Sequence, residues 1–165
     1  EVSPKDEGLD EFIANMFETM EKSDGIGLAA PQVNSMRRVF VVDGTPLAEE
    51  HPEMASFKQA FINPEIIAHG EEEVFAEEGC LSIPSIREEV KRPDYIKIRY
   101  KDQNFEEHEK EYTGIASRII QHEFDHLNGV LFTDLISALR KRMLRKKLSA
   151  IARGKFEVSY KTKVV

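Results

Sequence analysis

Apolar residues recur at helical spacing near the start of the chain, where Leu9, Phe12, Ile13, Met16, Phe17 and Met20 predict an amphipathic helix from about Leu9 to Lys22. Ser23-Asp24-Gly25 ends it. After the stretch Gly25-Ile26-Gly27-Leu28-Ala29-Ala30-Pro31-Gln32, the β-branched run from Arg38 to Val42 predicts a strand closed by Asp43-Gly44. Thr45 to about Phe57 reads as a polar excursion. Short strands follow at Phe61-Ile62-Asn63, Ile66-Ile67-Ala68, Val74-Phe75-Ala76, Ile86 to Val90 and Tyr95 to Tyr100. A turn at Lys101-Asp102-Gln103-Asn104 leads to a returning strand, Phe105 to Tyr112. A second helix is expected from an N-cap at Thr113 to a C-cap pair at Asn128-Gly129, and a third from about Ser137 to Ala152. Strands in the middle with helices on the flanks predict an α+β fold.

The composition narrows the class. Hydrophobic residues make up 41% of the 165 and charged residues 32%, with 9 Gly and 7 Pro, which excludes collagen-like, low-complexity and disordered chains. No repeat or linker interrupts the pattern, so residues 1–165 are expected to form a single domain. No apolar run is long enough to span a bilayer and no signal peptide opens the chain, so a membrane partner is not expected. The formal charge of -7 repels nucleic acid overall, so DNA is not an expected partner. The single cysteine, Cys80, cannot form an intrachain disulfide, which fits a reducing cytoplasm. The first residue is Glu1 rather than Met, and an upstream segment is expected to be missing from this numbering.

The strongest chemical signal lies on the second helix, at His122-Glu123-Phe124-Asp125-His126. At about 100° per residue, Ile115, Ile119, His122 and His126 share one stripe while Phe124 points away. Histidines at i and i+4 present two nitrogens at chelating distance, leaving a carboxylate to handle the proton of a water. The plainer reading is two polar residues on a helix surface, but Ile119 and Ile120 imply burial, and buried polar groups need partners. Angular position does not decide whether Glu123 or Asp125 faces the site. A catalytic site of this type needs a third protein ligand and an open position, and the candidate is Cys80 in Glu77-Glu78-Gly79-Cys80-Leu81-Ser82. Glu77 and Glu78 would disfavour a free thiolate, a penalty that a bound cation inverts.

Three motifs, Gly25-Ile26-Gly27-Leu28-Ala29-Ala30-Pro31-Gln32, Glu78-Gly79-Cys80-Leu81-Ser82 and Gln121-His122-Glu123-Phe124-Asp125-His126-Leu127-Asn128-Gly129, occur in an order that resembles the peptide deformylase family. The resemblance runs from about Leu9 to Leu148. It implies antiparallel sheets around a metal-bearing helix, and hydrolytic removal of the N-formyl group from the initiator methionine of nascent polypeptides, releasing formate. It also implies one divalent ion on Cys80, His122 and His126, physiologically Fe²⁺, with Zn²⁺, Ni²⁺ or Co²⁺ as alternatives. Glu123 would be the general acid and base, and Gln32 with the Leu81 N–H would stabilise the oxyanion. Each such donor is worth about 3 kcal/mol in other acyl-transfer sites. Gly27 and Gly79 would contact the peptide backbone, Ile26, Ile115 and Ile119 would enclose the methionine side chain, and Arg87 would lie near the pocket. Arg118 stands where the family usually has an apolar residue, and narrowing of the entrance is the expectation for it.

Family members usually carry a further strand and turn upstream of the first helix, which has no counterpart here. The loop from Thr45 to Phe57 and the end from Phe156 to Val165, read as either a strand or a flexible tail, are expected to leave the chemistry unchanged, and His51, His69 and His108 are expected at the surface. From Ala138 to Lys155 there are eight basic residues (Arg140, Lys141, Arg142, Arg145, Lys146, Lys147, Arg153, Lys155) and no acidic ones, so the remainder carries -7 - 8 = -15. With Leu139, Met143, Leu148 and Ile151 as its apolar face, this basic C-terminal helix either complements the acidic body or, as the resemblance implies, docks on ribosomal RNA near the peptide exit. Two other functions share parts of the pattern. A zinc peptidase also uses His-Glu-x-x-His but commonly takes a downstream third ligand, and a non-catalytic metal-dependent RNA-binding module would leave Glu123 dispensable.

Overall fold

The computed structural model describes residues 1–163. Helix α1 (Leu9–Lys22) precedes strands β1 (Gly27–Ala29) and β2 (Val39–Asp43), which are separated by a 3₁₀ turn at Ala30–Val33. Strands β3 (Lys58–His69), β4 (Glu73–Cys80), β5 (Ile83–Pro93), β6 (Tyr95–Lys101) and β7 (Glu107–Thr113) follow, then helices α2 (Gly114–Leu127), α3 (Phe132–Leu135) and α4 (Ala138–Ala152). The strands form an antiparallel five-stranded sheet ordered β1-β2-β3-β6-β7 and a separate β4-β5 hairpin. The α+β expectation holds.

Period-two alternation in the sheet builds two cores. Leu28, Val39, Val41 and Ile62 face Leu9, Ile13, Met16 and Met20 of α1. Their neighbours Ala29, Phe40, Val42 and Phe61 face Ile119 and Ile120 of α2, joined by Ile96, Ile98 and Tyr100. Because the sheet is covered on both sides, β2 is buried along its whole length. A third cluster joins Ile83, Ile86 and Val90 of β5 to Phe132, Ile136 and Ile151. Strands β1 and β4 are edge strands, each leaving one side of its backbone without a ladder partner.

Several expectations need correction. The two short strands read on either side of Asn63-Pro64 are one strand, β3, whose register slips at that point. Asn63 sits at φ +48 and its amide bonds both backbone groups of Val2, so a break in the pattern became a bulge. The short helix α3 was not anticipated. The polar excursion contains two 3₁₀ turns, Thr45–Leu47 and Pro52–Met54. No strand occurs among the described residues after Phe156, and Val164 and Val165 lie outside them.

The inward side of α4 also differs from expectation. It carries Leu144, Leu148 and Ile151, whereas Leu139 and Met143 are 68% and 63% exposed. At about 100° per residue those two lie roughly 100–140° round the helix from Leu144, too far to share its face. Arg140 fastens α4 to β5 by a two-pronged contact with Glu88 at 2.6 and 2.8 Å. No helix is long and apolar enough to cross a membrane among the described residues.

Candidate metal centre and active-site cleft

Helix α2 crosses beneath β1 and β2 and turns His122, Glu123 and His126 toward the β4-β5 hairpin. Asn128 closes it, and Gly129 at φ +73 lets Val130 N–H reach the Asp125 carbonyl. Cys80, at the end of β4, lies across from this face. Its Sγ is 3.3 Å from His126 Nε2, and one nitrogen of each imidazole lies with that sulfur inside a 4.8 Å group. Tetrahedral coordination at ordinary Zn–S and Zn–N lengths separates neighbouring ligand atoms by about 3.5 Å, so the three atoms match a single ion.

Electrostatics support the same fit. Burial acts to lower the His122 pKa, but its hydrogen bonds to Cys80 and Glu78 outweigh that effect and carry it to about 10. A ring whose charged form is favoured beside Glu78 and Cys80 marks a place short of positive charge, which a divalent cation fills when it displaces protons from its ligands. Burial, reinforced by His122, pushes His126 down to about 4, which keeps it a neutral imidazole suited to ligation. Glu123 is buried and its Oε2 has no hydrogen-bond partner among the described residues. Loss of solvent raises its carboxyl to about 7, in the range useful for proton exchange near neutrality.

The question left open between the two carboxylates is resolved by their neighbours. Glu123 lines the cleft, while Asp125 turns away and accepts from Arg92 Nη1 at 2.7 Å. Arg92, buried on β5, also holds Glu78 with a fork of two bonds at 2.7 and 3.0 Å. Glu78 in turn bonds His122 Nδ1 at 3.0 Å, which leaves Nε2 of that ring for a metal. Burial would raise Glu78, but His122 and Arg92 bring it down to about 2.

Arg118 completes this network, with Nη1 at 2.8 Å from Glu78 and further bonds to the Val90 and Val74 carbonyls. It borders the cleft and is fastened between α2 and the hairpin by these bonds. Glu78, Arg92 and Asp125 were not singled out as partners from the sequence. The available signal was parity: on β5, Glu88 and Arg92 occupy the same inward positions as Ile86 and Val90, and buried charges need partners.

The cleft has a volume of about 840 Å³ and lies between the β1 and β4 edges. Ile26, Gly27, Gly79, Arg87, Ile115 and Ile119 all line it, together with Gln32, Cys80, Leu81, His122 and Glu123, whereas His126 lies behind Cys80 and does not. Gly27 is specified by space: a Cβ there would lie 2.3 Å from Glu123 Oε1. Gly79 faces Arg87 across the hairpin with ordinary room for a Cβ, and Arg87 is held at the rim by Glu77 at 2.7 Å. Gln32 accepts from Ala29 N–H through Oε1 and directs its amide nitrogen to Ser82 Oγ at 3.0 Å and Cys80 Sγ at 3.6 Å. Two segments expected to lie outside the chemistry also border the cleft: Leu47, Glu50 and His51 from the polar excursion, and Glu157 to Tyr160 from the tail. Residue spacing gave no sign of either.

A cysteine sulfur and two helical imidazoles around one point, beside a buried carboxyl group in a substrate-sized cleft, define the site of a metal-dependent hydrolase. The family model described as Polypeptide deformylase matches residues 1–142. A peptide deformylase of Salinibacter ruber is 51% identical over 163 residues, covering 96% of this chain and 84% of that protein. Among solved structures, a Plasmodium falciparum peptide deformylase superposes with a TM-score of 0.83 at 40% identity, over 93% of this chain and 87% of that one. A Thermotoga maritima peptide deformylase does so with a TM-score of 0.73 at 46% identity, over 82% and 86%. The chain belongs to the polypeptide deformylase family, metal-dependent hydrolases that remove the N-formyl group from nascent peptides. This sets aside the zinc-peptidase and non-catalytic readings.

Proposed function

We propose that this chain carries out deformylation with one divalent ion held by Cys80, His122 and His126, and with Glu123 moving the proton. The observation that carries the reading is the buried Oε2 of Glu123, without a partner among the described residues, in the cleft that the Cys80 sulfur and His122 line and behind which His126 completes the group of three ligand atoms. When bound, the ion supplies Lewis acidity that acidifies a water and polarises a carbonyl. Glu123 accepts the water's proton and delivers it to the departing nitrogen. The Gln32 amide and Leu81 N–H face the formyl oxygen as its charge grows, and each preorganised donor contributes most in the transition state. The substrate backbone lies between the two free edges beside Gly27 and Gly79, as strand addition requires. Ile26, Ile115 and Ile119 enclose the methionine side chain, and Arg87 lies at the rim.

The resident ion on this reading is Fe²⁺, with Zn²⁺, Ni²⁺ or Co²⁺ also suited to one thiolate and two imidazoles. Its setting is the cytoplasm. Purification without oxygen followed by elemental analysis tests the ion, and full activity with zinc as the sole metal recovered would remove iron from the proposal.

Formate release from formyl-Met peptides is the expected activity, with no cleavage of internal peptide bonds. Glu123→Ala should keep its metal and lose about 10²- to 10⁴-fold in kcat; a variant with full turnover would refute the role of Glu123. The exposed basic side chains of α4 are proposed to meet ribosomal RNA. Replacing Lys141, Arg142, Arg145 and Lys146 with Glu should abolish co-sedimentation with ribosomes, and unchanged co-sedimentation would end that proposal.

A further inference from the structure

The tail after α4 reaches the catalytic turn. Gly154 at φ +72 reverses the chain, and Phe156 packs against the Ile83, Ile86 and Val90 cluster. From there Phe156, Val158 and Tyr160 are half-buried while Glu157 and Ser159 are exposed, the alternation of an extended segment. The family match ends at residue 142, so this segment lies beyond it. Its last contact is specific: Tyr160 Oη donates to the Leu81 carbonyl at 2.7 Å.

Leu81 and Ser82 form the two-residue tip of the β4-β5 hairpin, between the paired Cys80 and Ile83, with a register slip just before Cys80. Backbone groups at such a tip lie outside the ladder and take their partners elsewhere. Gln32 holds one side of the tip through Ser82 Oγ, and Tyr160 holds the other through Leu81. The fastened carbonyl and the Leu81 N–H belong to successive peptide planes joined at one Cα, so only two dihedrals separate them.

We infer that Tyr160 is a positioning residue for deformylation: its hydroxyl fixes the Leu81–Ser82 peptide so that the Leu81 N–H stays aimed at the formyl oxygen. The inference rests on the proposed oxyanion role of Leu81. A donor already aimed at developing charge acts without reorganising at the moment of reaction, whereas a mobile tip must first find that orientation. The effect therefore falls on kcat rather than on ground-state binding.

Tyr160→Phe in the full chain keeps the ring and removes the donor. The expected result is a loss of about three- to tenfold in kcat, the range governed by one neutral hydrogen bond, with KM for a formyl-Met peptide within about twofold. Bound metal and the thermal midpoint should be unchanged. Wild-type kcat in Tyr160→Phe overturns the inference, and so does a loss that comes with a raised KM or with lost metal, since either marks a merely structural tail. Glu123→Ala assayed alongside separates the two levels. Turnover retained there defeats the active-site reading itself, whereas wild-type Tyr160→Phe beside an inactive Glu123→Ala defeats only the role of Tyr160.

Discussion

Gly27→Ala tests the geometry of the site with a single methyl group. Gly27 is not in the left-handed region of backbone space, so alanine meets no backbone penalty and the perturbation is purely steric. Its Cβ would lie 2.3 Å from Oε1, 2.7 Å from Cδ and 2.9 Å from Cγ of Glu123. Attractive contact begins at about 3.5 Å, so the carboxylate or β1 must retreat by about 1 Å. A displacement of that size at a reacting group costs about 10²-fold, or about 2.7 kcal/mol of transition-state stabilisation. Overpacking should cost about 1–3 kcal/mol of stability. The assay is formate release with kcat and KM resolved, together with metal content, since the three atoms nearest the new methyl group all belong to Glu123 and none to a proposed metal ligand. Glu123→Asp shortens the crowded side chain, so the double variant Gly27→Ala/Glu123→Asp should be no slower than Glu123→Asp alone. Wild-type kcat in Gly27→Ala, or strict additivity in the double variant, would refute the claim that the missing side chain makes room for the general base.

The charged network behind His122 gives two further expectations. Glu78→Gln leaves Arg92 and Arg118 short of a buried partner and should cost about 3–5 kcal/mol in chemical unfolding, while weakening metal affinity about 10- to 100-fold in a competition titration. In the metal-free protein the Glu78 carboxyl is held at about 2, below its ordinary 4.5. A depressed carboxyl contributes stability that is fully present above pH 4.5 and is lost as pH falls through 2. Acid titration of unfolding should show that loss in the parent, and a flatter profile over the same interval in Glu78→Gln. Identical profiles would show that Glu78 is not the group responsible.

What the sequence disclosed follows the range of the interactions involved. Helix α1 matches its expected bounds, and α2 and α4 do so within a residue at each end, because helical periodicity and stop signals act within a turn or two. His122 and His126 were legible because one helical turn fixes their geometry. Cys80 was legible because no second cysteine competed with it. The contacts around the proposed site come from far along the chain: Glu78 meets Arg92 across 14 positions, Arg118 across 40 and His122 across 44, and Tyr160 meets Leu81 across 79. No local pattern encodes such pairs.

The choice between Glu123 and Asp125 shows how such distant pairs settle a local question. Both flank the imidazole stripe, so helical angle treats them almost alike. Arg92, presented by β5 of the hairpin, takes Asp125 as a partner and leaves Glu123 with an oxygen that nothing among the described residues satisfies. Selection of the carboxylate proposed to handle the proton is therefore a property of the packed hairpin, which pairs Asp125 and leaves Glu123 facing the cleft. Removing Arg92 would free Asp125 and leave Glu78 held by Arg118 and His122 alone, so its loss should disturb both the proposed choice of base and the orientation of His122. On the proposed mechanism the integrity of the β4-β5 hairpin thus matters to catalysis through the buried Glu78 and Arg92 and the half-buried Cys80, although only Cys80 is proposed to touch the metal.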